Sequence, residues 1–251
     1  MPYVHRTVIA GQVVEHRKMH SSRIHTKGIE RSKNMGNTTL AQEKVNERIA
    51  EEKLRWKLNT NFGYLDLHAV LHYFDKERSL DQCRDDLALF LKRLRRICKA
   101  KGITLKYIAV TETKRMTNIH HHVVINRMDA EIIAEAWEGI EGTGGISFRL
   151  MDKRGNHAKL AAYLIKEAKA TMERYKEAGR SGKRYSSSQN LDAPVLRYEN
   201  VQASTWRDEP KPHKGAVLYK FDDGKTARSG WHEVSGYPYQ EYFEIFTPKR
   251  E

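Results

Sequence analysis

The chain has 251 residues, with 45 Lys and Arg against 32 Asp and Glu, a formal net charge of +13 and an isoelectric point near 9.6. That length supports one large or two small domains with a substantial core. The charge argues against a generic cytosolic enzyme and for a polyanionic partner, nucleic acid first. No run of about 18 apolar residues occurs, and the N-terminus lacks the short apolar core of a signal peptide, so no membrane association is expected. Cys83 and Cys98 are the two cysteines. Fifteen helical residues would hold them about 22 Å apart, too far to bridge. A cytoplasmic, reducing setting follows as the expectation.

Residues 1–37 are rich in Ser, His, Lys and Arg, with Arg6, Arg17, Lys18, Arg23, Lys27, Arg31 and Lys33 against Glu15 and Glu30. This composition reads as a basic arm that tracks DNA. Thr39 as N-cap, with Gln42 three residues on, opens a predicted helix whose apolar side is Val45, Ile49, Leu54 and Leu58. Gly63 to Tyr73 alternates as a strand, with Leu67, Ala69, Leu71 and Tyr73 on one face. Leu80 to Lys101 is the clearest helix: Leu80, Cys83, Leu87, Leu91, Leu94 and Cys98 recur at three- and four-residue steps, and Gly102 stops it. Leu105 to Glu112 reads as a strand. Thr113 to Ile119 would turn it into a second strand beginning at His120, as a hairpin. Asp129 caps a helix to Gly139, Ile146 to Met151 is a short strand, and Asn156 to Ala178 is a basic helix. The order βαββαβ predicts an α+β fold, a central antiparallel sheet in a ferredoxin- or RRM-like arrangement with helices packed on one face. Beyond Gly179 the chain becomes polar and then proline-rich, with short strands expected at 216–221 and 241–246. The expected divisions are an arm and helix over 1–58, a core domain over 59–191 and a C-terminal extension over 192–251.

The candidate chemistry centres on His120, His121 and His122. Alternate side chains of a strand share a face, so His120 and His122 would point together and His121 away. The hairpin brings Glu112 near them. Two imidazoles and a carboxylate suit a divalent metal: Mg²⁺ or Mn²⁺, with Zn²⁺ also compatible. On the basic helix, Tyr163 and Lys166 are i,i+3 neighbours. A stripe of Leu160, Leu164, Ala168 and Met172 would pack that helix on the sheet, leaving Tyr163 at its edge facing the ligands. A phenol is a poor nucleophile near pH 7, its reference pKa being about 10. It needs an activated phosphate, a lowered pKa or a base. The metal would polarise a scissile phosphate, and Lys166 would stabilise developing charge. Attack by Tyr163 would leave a 5′-phosphotyrosine and a free 3′-hydroxyl. From Arg149 to Arg184 the chain carries eleven Lys and Arg against four Asp and Glu. Arg154, Lys159, Lys169, Lys183 and Arg184 are the candidate DNA contacts in that stretch.

Three segments then resemble, in order, the motifs of HUH endonucleases, and among them the rolling-circle replication initiator (Rep) proteins of plasmids and phages. Ala69-Val-Leu-His-Tyr73 resembles the first motif, His120-His-His122-Val-Val-Ile125 the second and Ala162-Tyr163-Leu-Ile-Lys166 the third. Asn59-Thr-Asn-Phe62 and Lys183-Arg-Tyr-Ser-Ser-Ser-Gln-Asn-Leu191 resemble initiators of Gram-positive bacteria and their mobile elements. Two positions depart from the pattern: His121 stands where a bulky hydrophobic residue is usual, and His72 where a threonine is usual. The resemblance implies a metal-dependent endonuclease and strand transferase. It would nick and rejoin one DNA strand at a single-stranded site within a duplex origin, to initiate and terminate rolling-circle replication. No second tyrosine stands four residues after Tyr163, so a single-tyrosine enzyme is implied. No Gly-x-x-x-x-Gly-Lys-Ser/Thr loop is present, which implies a separate helicase, and a host DNA polymerase for synthesis. A relaxase or transposase with the same chemistry, a hydrolase using water, and a non-catalytic module binding single-stranded nucleic acid remain the alternatives.

Overall fold

A computed structural model gives the fold and describes residues 3–20, 40–75, 77–113, 119–180, 182–202, 206–232 and 236–247. The chain divides into two compact units, Ala50–Asp192 and Met1–Ile49 with Ala193–Glu251.

The contiguous unit is built on a five-stranded sheet. Its strands are β3 (Leu67–Tyr73), β4 (Tyr107–Glu112), β5 (His120–Ile125), β6 (Thr143–Leu150) and β7 (Ser186–Ser187), in the order β6-β3-β5-β4-β7 with every pair antiparallel. Without β7 this is the order a βαββαβ chain adopts in a ferredoxin-like sheet, as the pattern predicted. Helices α2 (Leu80–Ala100) and α3 (Ala130–Trp137) lie on one face, where Phe90, Leu94, Ile133 and Trp137 pack against Leu71, Ala109, Val123 and Ile125. Residues of α2 fall at helical spacing and Ser79 caps it: the Ser79 hydroxyl accepts from Gln82 N while the Gln82 side chain accepts from Ser79 N. Such a cap contributes roughly 0.5–2 kcal/mol. Gly102, at φ +69°, takes the left-handed turn that ends the helix.

The pattern predicted helices on one face alone, but they lie on both. The opposite face is covered as well, by α1 (Leu40–Asn61) and α4 (Ala158–Glu177). Leu54, Leu58, Ala161, Leu164 and Ile165 pack there on Ile108, Val110 and Val124. The reason is visible in the strands: β4 and β5 are buried along nearly their whole length, so both faces need cover. Leu54 and Leu58 of the predicted apolar side of α1 are buried, whereas Val45 and Ile49 are exposed. Thr39, the predicted cap, lies outside the described residues.

The other unit is a six-stranded antiparallel sheet. It contains β1 (Tyr3–Ala10), β2 (Val13–His20), β8 (Val195–Val201), β9 (Ala216–Leu218), β10 (Arg228–Trp231) and β11 (Pro238–Phe246), ordered β10-β11-β2-β1-β8 with β9 also on β11. The arm expected over 1–37 is therefore a β-hairpin over 3–20, turned at Gly11 with φ +59°; residues 21–37 lie outside the described residues. Arg6 pairs with Arg17 on the same face as Val8, Ala10 and Val13, which are wholly buried, while Lys18 lies on the opposite face. Val13, Phe221, Phe243 and Ile245 form the small core on one face of this sheet. Among the described residues, no helix is long and apolar enough to cross a membrane.

Candidate active site

The register of the five-stranded sheet decides which side chains meet. Glu112 pairs with His120, and Val110 with His122, so Glu112, His120 and His122 share the face covered by α1 and α4. His121 points to the other face. It is wholly buried among the α2 and α3 packing, its Nε2 2.9 Å from the Tyr73 hydroxyl and its Nδ1 2.9 Å from the Thr111 hydroxyl. Burial pushes its pKa down to about 3, so it is a neutral core imidazole. The polar residue where a hydrophobic one is usual thus fills a hydrophobic position with both ring nitrogens satisfied.

Helix α4 crosses the first face. Ala161, Leu164, Ile165 and Ala168 fix its rotation. Its start is held by His157, whose Nε2 donates to Phe62 O at 2.9 Å and whose backbone N donates to Asn59 Oδ1 at 2.9 Å. Further along, the Thr171 hydroxyl donates to Thr111 O at 2.7 Å, tying α4 to the β4 edge. Between these two anchors stands Tyr163. Its hydroxyl donates to Glu112 Oε2 at 2.8 Å and lies 3.4 Å from His122 Nε2. The ring is 41% exposed, so a substrate can reach it.

Glu112 Oε2 is also 3.0 Å from His122 Nε2 and 3.1 Å from His120 Nε2. One ligand atom from each of these three residues lies within 4.8 Å of the others. Burial by itself would raise the Glu112 carboxyl, but hydrogen bonds from His122 and Tyr163 outweigh it, and the group sits below the ordinary carboxylate range. Burial, then the Glu112 carboxylate, pushes the Tyr163 phenol well above its usual value, while Arg149 acts in the opposite sense. The resting tyrosine is a neutral phenol.

The sheet supplies three further groups to this face that the sequence reading did not assign. His68 Nε2 is 3.0 Å from His122 Nδ1, in a buried contact. His72 pairs with His120 across β3 and β5, and its Nε2 is 3.2 Å from Ser147 Oγ. Arg149 stands opposite His68 on β6. The available signal was alternation: with Leu67, Ala69, Leu71 and Tyr73 inward on one face, His68 and His72 must share the other.

Lys166, one turn beyond Tyr163 on α4, is exposed. Lys159 and Lys169 are exposed on the same helix, and Arg154 on the turn before it. Lys183 and Arg184 are not with them. They line a pocket with Arg84, Leu87, Thr111 and Tyr175, on the side of the sheet that α2 covers. Tyr175 is therefore not part of the Glu112–His120–His122 cluster. The donor set itself, two imidazole nitrogens and a carboxylate oxygen converging beside a reachable phenol, fits a divalent ion.

No curated protein and no solved structure matches the chain. The segment from the start of β3 into α4, residues 67–172, which carries Glu112, His120, His122 and Tyr163, matches the family model described as replication-associated protein ORF2/G2P.

Proposed function

We propose that this chain is a single-tyrosine HUH-type endonuclease that nicks and rejoins one DNA strand to start and end rolling-circle replication. The observation that carries the reading is the contact of the Tyr163 hydroxyl with Glu112 Oε2, at 2.8 Å, beside His120 and His122. Glu112, His120 and His122 would hold a divalent ion, Mg²⁺ or Mn²⁺, with Zn²⁺ also suited to the donors. When bound, that ion supplies charge that polarises the non-bridging oxygens of the scissile phosphate.

The protein's own groups do the rest. The Tyr163 oxygen attacks phosphorus, the bond from phosphorus to the strand's 3′-oxygen breaks, that oxygen becomes a free hydroxyl by taking up the proton that the phenol gave up, and the 5′-phosphate stays on the tyrosine. The phenol proton has an acceptor in Glu112. Rejoining reverses the step, the 3′-hydroxyl attacking the phosphotyrosine. Arg149 and Lys166 supply positive charge for the phosphorane, and Arg154, Lys159 and Lys169 hold the incoming strand. His68 orients the His122 ring through Nδ1. Unwinding would fall to a separate helicase and synthesis to a DNA polymerase.

The test is covalent trapping. With Mn²⁺ and a single-stranded oligonucleotide carrying the nick site, the wild type should form an adduct that peptide mapping assigns to Tyr163. Tyr163→Phe should form none while keeping most of its DNA affinity. An adduct on Tyr175, or one that survives Tyr163→Phe, overturns the assignment. Tight binding with neither adduct nor nick would favour a binding module.

A further inference from the structure

A second cluster of metal-ligating side chains lies in the six-stranded sheet. On β2 and β11, His16 stands opposite Tyr242 and Val14 opposite Glu244, so His16 and Glu244 face the same side. His213, on the segment leading to β9, reaches the same carboxylate: its Nδ1 is 2.8 Å from Glu244 Oε2 and 2.9 Å from Oε1. His16 Nε2 is 3.7 Å from Glu244 Oε2. One ligand atom from each of His16, His213 and Glu244 falls within 4.8 Å of the others.

Two features are unusual for a plain hydrogen-bonded cluster. Glu244 is wholly buried and His16 only 3% exposed, yet His16 Nε2 has no hydrogen-bond partner. Its distance to Glu244 is too long for a hydrogen bond. It suits two ligands of one ion: bonds of roughly 2.0–2.1 Å in tetrahedral geometry put donors about 3.3 Å apart, between the 2.8 Å and 3.7 Å observed. The other ring nitrogen, His16 Nδ1, is 3.0 Å from His5 Nε2. If His16 Nδ1–H donates to His5, the Nε2 lone pair is aimed at Glu244 and His213. A ligand imidazole commonly has its second nitrogen fixed in this way.

We infer that His16, His213 and Glu244 bind a divalent transition-metal ion of the zinc class, supported by His5, with one coordination position left for water or an anion. The ion would fasten the segment carrying His213 to β2 and β11. The inference is independent of the proposed endonuclease chemistry, because all of its residues belong to the other unit.

The experiment counts zinc on the full chain in a background without the first cluster. The His120→Ala/His122→Ala protein is stripped with a chelator, equilibrated with Zn²⁺ and freed of excess, and its metal is measured. It should retain one zinc. Adding His213→Ala should abolish that zinc. Because the His213 side chain is 68% exposed, its loss leaves the fold intact, which circular dichroism verifies. His5→Ala in the same background should weaken Zn²⁺ binding roughly 10–100-fold. No zinc on the double variant, or zinc unaffected by His213→Ala, overturns the inference.

Discussion

His68 offers a sharp separation between orienting a ligand and doing chemistry. Its imidazole is buried, and burial pushes its pKa down to about 4, so it is neutral and its Nε2 can accept a hydrogen bond. That nitrogen is 3.0 Å from His122 Nδ1. For His122 Nε2 to hold an ion, Nδ1 must carry the proton and donate it to His68. His68→Ala removes that acceptor. Losing an outer partner of a metal-bound histidine costs roughly 10–100-fold in metal affinity, or about 1.4–2.7 kcal/mol. A buried Nδ1–H left without an acceptor costs about 1–3 kcal/mol, the same range reached by a separate route. Calorimetric titration with Mn²⁺ should show that loss in His68→Ala, and His68→Gln, whose amide oxygen can accept, should recover part of it. At saturating Mn²⁺ the cleavage rate of His68→Ala should return close to the wild-type value, since His68 acts through the His122 ring. Unchanged Mn²⁺ affinity, or a rate that saturating metal does not restore, would refute the orienting role.

The three consecutive histidines should behave unequally: His120→Ala and His122→Ala should abolish tight Mn²⁺ binding, whereas His121→Ala should leave it and lower unfolding stability by about 2–4 kcal/mol through a core cavity and unpartnered hydroxyls, measured by urea titration. His121 and His157 are buried with their pKa values lowered, His121 to about 3 from an ordinary 6.5, chiefly by desolvation. Protonation therefore favours the unfolded chain; their contribution is complete above pH 6.5 and is lost progressively as pH falls from there toward 3, so the urea midpoint should drop between pH 7 and 5, and a flat midpoint would contradict their burial. DNA affinity should fall with salt, and each of Arg154→Ala, Lys159→Ala and Lys169→Ala that removes a phosphate contact should flatten the log–log slope by about 0.7 on single strands; an unchanged slope for all three would remove them from the interface.

The pieces most legible in the sequence were those governed by a single period. Helix α2 declared itself through a regular apolar stripe and its stop at Gly102, and the pairing of Glu112 with His120 and His122 followed from strand alternation alone. The hairpin of β1 and β2 was hidden because the charges of Arg6, Arg17 and Lys18 make the segment read as an arm, although all three are partly buried in the sheet; the alternating Val8, Ala10 and Val13 around Gly11 carried the contrary signal. His68 was missed for a different reason. Its role comes from a neighbour 54 positions away, and nothing local in β3 encodes which strand will lie beside it. Lys183 and Arg184 looked continuous with the basic helix, but the turn after α4 carries them to the other side of the sheet.

The six-stranded sheet also sets an order of assembly. Arg17 on β2 donates from Nε and Nη2 to a single oxygen, Oε2, of Glu241 on β11, although the two lie 224 positions apart, and the whole contiguous unit lies between. On the ribosome, Ala50–Asp192 has all its strands and can close as it emerges. The first hairpin must wait, its outer edges unpaired, until β8 and β11 have been synthesised. Unpaired edges recruit other chains, so a nascent chain stalled between residues 193 and 237 should be the most aggregation-prone species of this protein. A chain ending before β11 should carry a folded centre on an unfinished sheet.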